Sequence, residues 1–124
     1  MSGGWERSAA NDAEVRQALM QRSLARVRAA ASRMPAAERM TVLAETFPAL
    51  RRAPGVRPWD AEELAAWTDV CSSGELHAVR FVLWVWNVFH DWPCGPFEIV
   101  KAVNVWDDEN RAAFLAWAEA PWTA

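Results

Sequence analysis

Apolar residues recur at intervals of three and four along most of the chain, the period of a helix with one buried side. The first such stretch runs from Asp12 to Arg33, with a stripe of Met20, Leu24, Val27, Ala31 and Met34 that Val15 and Leu19 widen at its start. Pro35 suits a first helical position, where a missing N–H is no loss. It predicts a second helix to Phe47, with Met40, Val42, Leu43 and Phe47 on the buried side. Pro48, Pro54, Gly55 and Pro58 break the helical period, and Arg51, Arg52 and Arg57 hold that connector at the surface.

Asp60 with Glu63, and Ser72 with Glu75, have the spacing of helix-start boxes, in which side chain and backbone satisfy each other's orphan groups. They open a third helix to Cys71 and a fourth from Ser73 to Phe89. The fourth is apolar on nearly every side between Ala78 and Phe89, which predicts the central, most buried element. His90 to Cys94 read as a tight turn. Gly95 and Pro96 then start a fifth helix to Val105, and Asp107 caps a sixth to Glu119, which Pro121 ends. The expectation is all-α: a compact single-domain bundle of five to six helices over residues 11–124, with a central apolar helix four, after a flexible tail of residues 1–10. Residues 59–67 and 106–114 echo each other, each with an aromatic, an Asp cap and an acidic first turn. Nothing on either side matches, so the echo reflects two similar helix starts rather than a repeat.

Composition supports the helical reading. Ile occurs once, Thr four times and Tyr not at all, while Ala, Leu, Arg and Glu dominate. With 124 residues, 52% of them apolar, the chain can bury a core without staples. Eight of the nine Trp follow residue 58, too many for one short interior. Trp67, Trp86, Trp106 and Trp117 are expected in the core, and others at a pocket or interface, where Trp is enriched. The excess of Arg over Lys, twelve to one, and the high Ala content suggest a GC-rich bacterial or phage genome.

Charge divides the chain. Residues 1–57 hold ten Arg against five acids, +5, and residues 58–124 hold three bases against eleven acids, −8. The halves can attract within one fold or across a head-to-tail dimer. The net charge of −3 argues against a dedicated nucleic-acid binder, leaving Arg22, Arg26, Arg33, Arg51, Arg52 and Arg57 as a local basic patch. The start lacks an apolar leader, and no apolar run reaches membrane length, so the expectation is a cytoplasmic chain with no membrane partner. Cys71 and Cys94 are then expected as reduced thiols.

The most specific constellation lies on the fourth helix. His77, Arg80, Trp84, Asn87 and Asp91 recur at three, four, three and four, which places them on one face. Trp between Arg and Asn has the make-up of an interaction hot spot, against the plainer reading of a wet stripe on an amphipathic helix. Cys71, His77, His90 and Cys94 are proper zinc ligands at atypical spacings, so no metal is expected. Cys94 beside His90 or His77, close to a predicted helix start, has the elements of a thiol nucleophile but no supporting motif. The acids at Asp60, Glu62 and Glu63, and at Asp107, Asp108 and Glu109, belong to helix starts rather than to a metal. No phosphate loop or nucleophile elbow is present.

These readings point to a non-catalytic cytoplasmic protein-interaction module without a cofactor, self-association included. The alternative is a small-molecule-binding or catalytic helical domain with an aromatic pocket near His77, Arg80 and Trp84. Nucleic-acid binding through the basic half comes third.

Overall fold

The computed structural model describes residues 12–22 and 34–124, and they form helices, turns and connectors with no strand. Helix α1 covers residues 12–22. It is followed by α2 (Ala36–Glu45), a 3-10 turn (Pro48–Leu50), α3 (Ala61–Trp67), α4 (Ser73–Trp86), α5 (Ile99–Val105) and α6 (Asp108–Glu119). The expected tail over residues 1–10 lies outside the described residues, as do Leu24, Val27 and Ala31 of the first predicted stripe. The described part of α1 is mostly exposed. Leu19 and Met20 are half-buried and share a cleft of about 180 Å3 with Ala112 and Leu115 of α6.

Helix α4 is central, packing against α2, the 3-10 turn, α3 and α5. Seven of its fourteen residues are buried, among them Ala78, Val79, Phe81, Val82, Leu83 and Val85. Its start carries a full capping box: Ser72 Oγ accepts from the Glu75 N–H, and Glu75 Oε1 accepts from the Ser72 N–H. The predicted Asp caps also hold, with Asp60 accepting from the Glu63 N–H and Asp107 from the Asn110 N–H. Asn110 then ties two distant segments, its Oδ1 accepting from the Ala49 N–H at 3.0 Å.

Phe81 is the aromatic hub. Its ring centroid lies 5.5 Å from Phe47, 5.1 Å from Phe97, 5.3 Å from Phe114 and 5.0 Å from Trp117. Trp106 and Trp117 are core, as expected, and their indole N–H groups donate to the Gly74 and Trp122 carbonyls. Trp67 and Trp86 are half-buried rather than interior.

Four helix ends differ from the sequence expectation, the first being α2, which stops at Glu45 rather than Phe47. Helix α3 stops at Trp67, so Cys71 sits half-buried at the α3–α4 junction instead of on α3. Helix α4 stops at Trp86, because Asn87 turns to extended backbone and its Oδ1 accepts from the Phe89 N–H in place of a helical partner. Helix α5 starts at Ile99 rather than Pro96. Extended backbone just before it lets Phe97 stack on Trp106 and meet Phe81 edge-on, contacts that outweigh the helical preference of Pro96. Gly55 is required where it stands. Its φ is +77°, and a Cβ there would sit 2.8 Å from the Leu64 nitrogen and closer still to the Asp60 carbonyl.

Candidate functional site

The early end of α4 and the late start of α5 leave residues 87–98 as one long connector over the polar face of α4. Arg80, Trp84, Asn87 and Asp91 of the predicted stripe line one cavity of about 160 Å3, closed by Trp92, Gly95 and Phe97. His77 lies a turn earlier and is buried, outside that lining.

The members differ in how, and whether, they are held. Arg80 Nε donates to the Cys94 carbonyl at 2.7 Å, and its Nη1 lies 3.6 Å from Glu98 Oε1. Gly95 has φ +92°, a conformation that favours glycine, and a Cβ there would stand 3.0 Å from the Arg80 guanidinium and press it aside. The Trp84 ring is half-buried against Trp117 at 5.7 Å and Phe97 at 6.2 Å. Asn87 ends the helix, and Asp91 is exposed. His77 Nδ1 is buried with no hydrogen-bond partner, and burial followed by the Arg80 charge hold the imidazole below its usual value.

On the other side of the same connector, a groove of about 470 Å3 is lined by Glu62, Asp69, His90, Asp91, Trp92 and Cys94, among others. His90 packs edge-on to Trp92 at 4.3 Å. Phe89, which the sequence placed inside the fourth helix, stands 94% exposed between cavity-lining neighbours. Its one signal in the sequence was Asn87, a residue that competes with helical hydrogen bonds.

Cys71, His77, His90 and Cys94 do not form a metal cluster: no three His, Cys, Asp or Glu gather in ligating geometry among the described residues. Both cysteines are free and half-buried. Burial pushes each thiol up, more than the Arg80 charge lowers it. That is the wrong direction for a thiolate nucleophile. Cys94 also lies five residues before α5, not at its start. In the basic half, Arg51 and Arg52 are exposed, Arg57 pairs with Glu45 at 2.6 Å, and Arg26 and Arg33 lie outside the described residues. The chain matches no known family model, no curated protein and no solved structure.

Proposed function

We propose that the chain is a non-catalytic protein-binding module whose contact surface is the 87–98 connector, with a second copy of the chain as the partner its charge distribution favours. Phe89 carries this reading: its ring is 94% exposed beside the Arg80–Trp84 cavity. Burying such a side chain gains about 1.5–3 kcal/mol over leaving it in water, and a partner that covers the ring recovers that gain. The cavity, about 160 Å3, is roughly half the lower bound of about 300 Å3 for small-molecule sites, so a protein surface suits it better. The connector belongs to the half of charge −8, which complements the half of charge +5 in a head-to-tail contact. A cytoplasmic setting is part of the proposal. No helix among the described residues is long and apolar enough to cross a membrane.

Sedimentation equilibrium of the full chain tests it. The expected result is association that weakens with added salt and disappears in Phe89→Ser, with the melting temperature unchanged at concentrations where the chain is monomeric. A chain still monomeric at about 1 mM, where binding is worth about −4 kcal/mol, overturns self-association. Association that survives Phe89→Ser overturns the connector as its surface.

The 470 Å3 groove favours a second reading, small-molecule binding beside Trp92, because its volume falls in the range of such sites. Fragment screening by NMR separates the two: shifts clustered on Trp92 and His90, with none on Phe89, support the ligand site.

A further inference from the structure

We propose that His77 is an acid sensor, its protonation loosening the contact between α4 and α5 and releasing the connector between them. This goes beyond the binding role above and does not need a partner. His77 is 6% exposed, and its Nδ1 is enclosed without an acceptor. A neutral imidazole can leave one ring nitrogen unprotonated, whereas an imidazolium carries N–H on both and needs an acceptor for each. Nδ1 has none.

The charged groups that act on His77 come from two elements: Arg80 on α4 itself, and Glu98 and Lys101 at the start of α5. Glu98 is the one anion among them and is already engaged. Lys101 Nζ lies 2.9 Å from Glu98 Oε2, and Arg80 Nη1 lies 3.6 Å from Glu98 Oε1. Protonated His77 would be a third cation on a carboxylate that serves two. If Glu98 turns toward His77 it leaves Arg80, the residue whose Nε also holds the connector through the Cys94 carbonyl at 2.7 Å. If Glu98 stays, the imidazolium remains buried without compensation, and the site must open to water. Both outcomes weaken the link from α4 to α5, so acid shifts the population toward an opened α5. Burial and Arg80 keep the ring neutral at neutral pH. Opening therefore takes up a proton.

Amide hydrogen exchange of residues 99–105 in the full chain, at pH 7.5 and 5.5 and corrected for intrinsic rates, reads this directly. Glu98 is held below its usual value of 4.5, so it stays ionised across the range and does not contribute. The expected result is protection in α5 that falls about threefold or more at the lower pH. His77→Gln abolishes the fall and His90→Gln keeps it. An equal fall in His77→Gln, or no fall in the unmodified chain, overturns the proposal. If His77→Gln does not fold, NMR titration of the His77 ring in the unmodified chain decides. A midpoint clearly below 6.5 with α5 shifts tracking it supports the sensor, and a midpoint at or above 6.5, or α5 shifts that ignore it, rules it out.

Discussion

Phe81, Trp84 and Phe89 are three of the four aromatic residues in positions 81–89, and the structure gives them three different energetic roles. Phe81 is fully buried and touches four rings within 5.5 Å, so Phe81→Ala leaves a cavity with few ways to collapse. We expect a loss of about 3–5 kcal/mol in urea unfolding. Trp84 is half-buried against Trp117 and Phe97, so Trp84→Ala should cost about 2 kcal/mol rather than leave the fold untouched. Phe89→Ala removes an exposed ring and should change stability by less than about 0.5 kcal/mol. A loss for Phe89→Ala comparable to that for Trp84→Ala would show that Phe89 packs on the chain in solution. The thiols give another test at this scale. Burial raises both Cys71 and Cys94, so each should react with iodoacetamide at pH 7.5 more slowly than in the unfolded chain. A rate above the unfolded one at Cys94 would restore the nucleophile reading.

The helices are fixed more firmly at their starts than at their ends. Starts depend on local hydrogen bonds within four residues, and those are written in the sequence: Asp60 with Glu63, Ser72 with Glu75, Asp107 with Asn110. Ser72→Ala should therefore destabilise by about 1 kcal/mol in thermal or urea unfolding. Asn110→Ala should cost more, about 1–3 kcal/mol, because it leaves the Ala49 N–H without its acceptor. A smaller loss than for Ser72→Ala would mean water replaces the Asn110 carbonyl there. The ends, and the start of α5, which carries no side-chain cap, were less legible. Trp86 and Ile99 bound a connector whose course depends on Phe97 reaching Phe81 and Trp106, residues distant in sequence. The periodicity of α4 and of α5, each taken alone, does not specify that contact.

For the molecule as a whole, pH is the sharpest probe. His77 binds its proton less readily in the fold than the usual 6.5, so the unfolded chain carries more protons just below that pH. Stability then falls as pH drops from about 7 toward the folded value and levels off beneath it. Glu98 is shifted in the same direction, held below 4.5 first by its Lys101 hydrogen bond, so its contribution is present above 4.5 and is lost as pH falls through its folded value. Urea midpoints measured from pH 4 to 8 should show the upper step in the unmodified chain and lose it in His77→Gln. An unmodified chain with constant midpoints from pH 7 to 5.5 would contradict this. The charge split at residue 57 makes a further whole-molecule expectation, since any head-to-tail assembly should weaken as salt screens the halves from each other.

By itself the sequence determined the all-helical class, the order of the helices, the capped starts of α3, α4 and α6, and α4 as the central element. Each rests on local periodicity or on hydrogen bonds between near neighbours, and the apolar excess of α4 leaves it nowhere else to go. The sequence also placed Arg80, Trp84, Asn87 and Asp91 on one side of the chain, and they do share one cavity. It could not show that His77 on the same stripe is buried with an orphan nitrogen, or that Arg80 is held by the Cys94 carbonyl and Glu98. Nor could it show that Phe89 is thrown out to solvent. Those facts depend on how far α4 runs before the aromatic core claims Phe97, and that is a packing decision among residues brought together only by the fold.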